Sequence, residues 1–143
     1  MMHDQQAQPL APSATNQASL KDTRQIVHFP SQLRVHTLAN MRDHLLALQQ
    51  IQIALAKEEF DEAGNIAEAR LGMSSMGLHG AHEVAPYMPK AMQAIGSAMH
   101  RSASRLAVAA KDAGATGDMK PVLAAMADVT AQCIACHDGY RVK

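Results

Sequence analysis

Two cysteines and a histidine near the end of the chain carry its clearest chemistry. Cys133-Ile134-Ala135-Cys136-His137 holds the only two cysteines among 143 residues. Two thiols separated by two residues and followed at once by histidine form the attachment signature of c-type haem. Each thiol bonds a vinyl group of the porphyrin, and the histidine ligates iron. A redox dithiol or half of a zinc site would use the same thiols, but the first expects a βαβ context and the second two more ligands at compatible spacing. Neither context is visible in the sequence, so one covalently attached haem c is the expected cofactor.

Such a motif needs elements that present it. Val122, Met126, Val129, Cys133, Cys136 and Tyr140 recur at spacings of four and three, which predicts a helix over 118–140 with Asp118 as its cap and Pro121 in its first turn. Residues three apart on a helix are neighbours, so Cys133 and Cys136 grip one edge of a ring while His137 reaches its centre. Three more segments share the rhythm. Leu38, Met41, Leu45, Leu48, Ile51 and Leu55 mark a helix over 32–57, entered at Pro30 and Ser31. Ala63, Ile66, Ala67 and Leu71 mark a second, capped by Asp61 and ended at Gly72. Met92, Ile95, Met99, Ser102, Leu106 and Ala109 mark a third over 89–113. Residues 72–89, with Gly77, Gly80, Pro86 and Pro89, read as a connector with a helical turn. No strand-like alternation competes. The expected fold is therefore all-α, an antiparallel four-helix bundle over 31–143 with the c-type haem on its last helix. Residues 1–30, rich in Gln, Ala, Pro, Ser and Asn, read as a flexible N-terminal segment.

Composition narrows the function. Thirteen basic and thirteen acidic residues cancel, which removes the electrostatic case for nucleic acid or an anionic membrane as partner. No apolar run approaches the roughly 20 residues that span a bilayer. Phe29, Phe60, Tyr87 and Tyr140 are the whole aromatic supply, and a buried haem would provide the missing bulk. A secretory leader is not visible in residues 1–30, although attachment of c-type haem implies a periplasmic location.

Four helices with CxxCH in the last, continuing as Asp138-Gly139-Tyr140-Arg141, resemble the cytochrome c prime superfamily of class II c-type cytochromes. The resemblance runs from about Ser31 to Lys143. It implies a haem pocket that includes Tyr140 and Arg141, the latter near the proximal histidine and the propionates. It also implies a distal residue on the first helix, and Met41 falls at that position. In five-coordinate members such a residue crowds the iron; in low-spin, six-coordinate relatives a methionine there is the sixth ligand. A homodimer through the first two helices is a further implication, with Ala47, Ile53 and Ala54 as candidate surface.

Met41 is thus the first candidate for the second axial ligand of iron, ahead of His44, His36 and an open site. His44 and Leu45 are expected in the pocket. Ten methionines and eight histidines raise a separate possibility, a second metal group of His79, His82 and His100 with Met88, Met92 and Met99 nearby, of a kind suited to copper. Packing is the competing explanation for those methionines. The functional expectation is a non-enzymatic, mono-haem electron carrier with an unknown redox partner. The alternatives are capture of a diatomic gas such as nitric oxide, or a copper-binding bundle. No nucleophile, base and orienter constellation is present that would suggest turnover.

Overall fold

The structure is a computed structural model that describes residues 21–143. It contains, in order, β1 (Gln25–Val27), α1 (Ser31–Ala56), α2 (Phe60–Arg70), the short α3 (Ala81–Val84), α4 (Lys90–Thr116), α5 (Lys120–Gly139) and β2 (Tyr140–Val142). Two 3-10 turns, Met73–Ser75 and Ala85–Tyr87, complete the connector. The chain is all-α in architecture, with α1, α2, α4 and α5 as the four helices expected from apolar spacing.

Local chemistry explains the boundaries. Pro30 and Pro89 occupy the cap positions of α1 and α4, where a residue without a backbone N–H and with fixed φ loses no helical hydrogen bond. Ser31 is therefore the first helical residue and not the cap, and α1 has no side-chain capping bond. Asp61 stands inside the first turn of α2 beside Glu62, after the cap residue Glu59, where carboxylates complement the helix dipole. Asp118 does serve α5: its Oδ1 accepts the Lys120 amide at 3.0 Å. Gly117, at φ 70°, ends α4 by donating its amide to Ala113 at 2.8 Å, the left-handed stop that glycine adopts without steric cost.

The main core is built largely from small side chains. Ala47, Ile51, Ala54 and Leu55 of α1 meet Ala63 and Ala67 of α2, Ala103, Leu106, Ala107 and Ala110 of α4, and Val122 and Val129 of α5. Gly64 is the closest approach: a Cβ there would stand 2.9 Å from the Ala107 carbonyl oxygen and 2.7 Å from Cγ of Lys111. Packing runs from α1 to α2, α2 to α4 and α4 to α5, with only slight contact between α1 and α5. Arg70 of α2 fastens the first pair, donating to both carboxylate oxygens of Asp43 and, at 2.6 Å, to Gln50 Oε1.

Two expectations about α1 change accordingly. Its inward line is Ala47, Ile51, Ala54 and Leu55, whereas Leu38 and Leu45 are 44% and 69% exposed, because α1 buries the face that meets α2 and not the one that would meet α5. Ala47 and Ala54, read from the sequence as candidate dimer surface, are buried; Ile53 alone of that set is exposed.

Residues 25–30 also depart from the flexible segment assigned to 1–30. β1 pairs in parallel with β2 in the register Gln25↔Tyr140, Ile26↔Arg141 and Val27↔Val142, and Val27 and Phe29 are buried with Met92 in a second apolar cluster. Three apolar side chains, Ile26, Val27 and Phe29, are too few to establish a period, yet they suffice once β2 supplies backbone partners. Residues 1–20 lie outside the described residues.

The Gly64 contact yields a direct test. Gly64→Val should lower stability by about 1–3 kcal/mol through overpacking against α4, measured as a reduced urea midpoint at unchanged slope.

Candidate haem site at the end of α5

The last turns of α5 carry the motif. Cys133 and Cys136 are free thiols, both half-buried, and burial pushes both above the ordinary thiol pKa, with the Cys133 charge adding to the effect at Cys136. Both therefore remain neutral thiols at pH 7. Cys133 packs on the main core, whereas Cys136 packs on the second cluster beside Leu33, Met88, Tyr140 and Val142. His137 is exposed on the next position. α5 ends directly after it, where the Tyr140 amide donates to the Cys136 carbonyl and the backbone turns extended.

Several exposed apolar side chains lie on α1 and α5. On α5, Leu123 and Ile134 are about 60% exposed and stand eleven residues apart, three turns along one line. At about 100° per residue, that line lies about 120° from Cys133 and Cys136, which share the Val122 and Val129 side, with His137 between the two. On α1, Met41, Leu45 and Leu48 form the flank opposite Asp43 and Gln50, the residues that hold α2. Met41 and Leu48 are half-buried. Two thiols one turn apart and an adjacent imidazole are the donor set that a covalently bound haem requires, so these residues fit the group.

Of the other pocket residues expected from the sequence, Tyr140 lies in β2, not in the helix, and is half-buried in the second cluster. Arg141 pairs with Asp22, Nε to Oδ2 at 3.5 Å. Leu45 is the most exposed member of its flank.

His44 belongs to a different constellation. Its Nε2 is 3.3 Å from Nδ1 of His79, and the two rings meet edge to face at 4.6 Å. His100, buried on α4, completes the cluster at 5.6 Å from His79; its Nδ1 lies 2.7 Å from the Leu71 carbonyl oxygen and 3.3 Å from Ser75 Oγ. His36 approaches the same connector at Gly80. His82 is exposed and takes no part. Met88 and Met92 pack in the second cluster and Met99 in the main core. Among the described residues no group of three or more His, Cys, Asp or Glu side chains is arranged to hold a metal ion, so the second metal group of His79, His82 and His100 gives way to a structural histidine cluster joining α1, the connector and α4. The Ser75 link and the part played by His44 were not legible in the sequence, since their partners lie 25 and 35 residues away.

The cytochrome C′ family model matches residues 86–141, from the end of the connector through α4 and α5 into β2. The match supports the resemblance to the cytochrome c prime superfamily over that part of the chain. That superfamily consists of haem c proteins that transfer electrons or bind gas and are typically periplasmic. No curated protein and no solved structure matches the chain. No helix among the described residues is long and apolar enough to cross a membrane.

The histidine cluster makes stability depend on pH. Burial, and next the charges of His79 and His100, push the His44 pKa from 6.5 down to about 4; His79 is lowered too, mainly by burial. Between these limits the unfolded chain binds more protons than the folded one, so stability is full above about pH 6.5 and falls as pH drops toward 4, by about 3 kcal/mol from His44 alone. His44→Gln should therefore lose less melting temperature between pH 7 and pH 4.5 than the unsubstituted protein, measured by circular dichroism.

Proposed function

We propose that the chain is a periplasmic mono-haem cytochrome of single-electron transfer. Cys133 and Cys136 would hold one haem covalently, and His137 and Met41 would ligate its iron. The observation that carries this reading is the end of α5, where neutral, half-buried thiols one turn apart flank an available imidazole, inside the region matched by the cytochrome C′ family. The bound haem supplies a one-electron iron couple.

The chain's own residues account for the rest. Cys133 and Cys136 would fix the ring edge to α5, while Leu38 and Leu45 of α1 offer apolar surface that would keep water from it. Met41 is favoured as distal ligand because His44 is bonded to His79 and His36 is exposed beside the connector at Gly80. A neutral thioether opposite histidine favours the reduced iron and raises its potential. Such a site performs no substrate turnover, so its partners are redox proteins.

Met41→Ala decides the distal side. With the protein produced in a host that attaches c-type haem, the unsubstituted ferric spectrum should be low-spin with a methionine-to-iron band, and the variant should lose that band and become high-spin. An unsubstituted protein already high-spin and responsive to nitric oxide would favour gas binding. Cys133→Ala with Cys136→Ala should abolish covalent haem, read as loss of haem staining after denaturing electrophoresis.

A further inference from the structure

Beside the packing of Val27 and Phe29 with Cys136, the segment that precedes the bundle reaches the motif through a hydrogen bond. Arg24 Nη1 donates to the carbonyl oxygen of His137 at 3.3 Å, across 113 residues of sequence. That carbonyl is one of the last four of α5, which have no partner within the helix, and a guanidinium is well suited to fill the role at the negative end of a helix dipole. The donor is held in place. Arg24 Nε and Nη2 bond the two oxygens of Asp22 at 3.0 and 2.8 Å, and this hydrogen bonding keeps the Asp22 carboxyl well below the usual carboxylate range. Asp22 also accepts Arg141 at 3.5 Å, so one carboxylate aligns a cation from each side of the β1–β2 ribbon. The register of that ribbon, beginning at Gln25↔Tyr140, sets Arg24 beside the turn that ends α5.

Resting on the haem reading above, we infer that Arg24 is a positioning residue for the axial ligand: through the His137 carbonyl it fixes the terminal turn of α5 and hence the orientation of the His137 imidazole, with Asp22 as its anchor. Its positive charge next to the ligating residue also favours the reduced iron over the more positive oxidised iron. The ribbon is thus a strap on the proximal side of the site, with Arg24 as its buckle.

The test uses the haem-loaded full chain. Arg24→Ala should alter the line positions of the ferric electron paramagnetic resonance spectrum, which follow axial-ligand orientation. It should also lower the ferrous-to-ferric ratio at fixed ambient potential by about threefold, the size that one partly solvated charge contact supports. Arg24→Lys, which keeps a donor and the charge, should restore most of both. Asp22→Asn should alter the line positions as Arg24→Ala does while not lowering the ratio, since it removes a negative charge, and it carries the orientation test should Arg24→Ala fail to fold. Spectra and ratio unchanged in the folded variants would overturn the inference, even with a lowered melting temperature, since that would mark a purely structural contact. Absence of covalent haem from the unsubstituted protein would instead overturn the haem reading, and this inference with it.

Discussion

The close approach of α2 to α4 is the constraint on which the rest of the bundle depends. Without a Cβ at Gly64 the backbone of α2 comes against the Ala107 carbonyl, and the alanines around it keep the two helices near each other over their shared length. Dispersion between small, well-packed surfaces supplies the cohesion that aromatic side chains provide in other cores. α1 is then tied to α2 through Arg70, Asp43 and Gln50, and its position follows from that of α2. The result is an open arrangement in which α1 and α5, the helices bearing Met41 and the Cys-His motif, are each anchored to neighbours and hardly to one another. A bundle with such a division has one pair of helices free to receive a cofactor while the other pairs already hold the fold.

Much of this was legible because helical periodicity is a local signal. The ends of α1, α4 and α5 fall within a few residues of the positions set by Pro30, Pro89, Gly117 and Asp118, and the CxxCH motif states its chemistry in five residues. What could not be read is non-local. The inward face of α1 was ambiguous because both flanks are apolar: Leu38, Met41 and Leu45 continue a three-four spacing as well as Ala47, Ile51 and Ala54 do, and only the identity of the packing partner decides between them. β1 was hidden because three residues give no period and derive their order from β2. His44 joined His79 and His100 through a connector whose course no spacing rule specifies.

The histidine cluster has a structural economy of its own. The connector over 71–89 contains glycines and prolines and little regular structure, yet it must cross the end of the bundle without leaving polar groups stranded. Ser75 and His100 receive its turn, with Ser75 donating to the Gly72 carbonyl at 2.7 Å and His100 meeting the Leu71 carbonyl. Among the described residues no buried side-chain nitrogen or oxygen lacks a partner, which is how a segment with little regular structure stays ordered beside the core. Imidazoles suit this use because each ring offers one donor and one acceptor when neutral.

The parallel ribbon has a consequence for the order of events during synthesis. A parallel pair cannot close through a tight turn, and here the whole bundle lies between its strands, so β1 has no partner until all four long helices have been made. Until then the terminal turn of α5 lacks its strap, and Cys133, Cys136 and His137 sit on a helix end that is free to move. Ring closure over so long a loop is entropically slow relative to helix formation. Ribbon closure therefore follows helix formation and works as a latch on the terminal turn of α5.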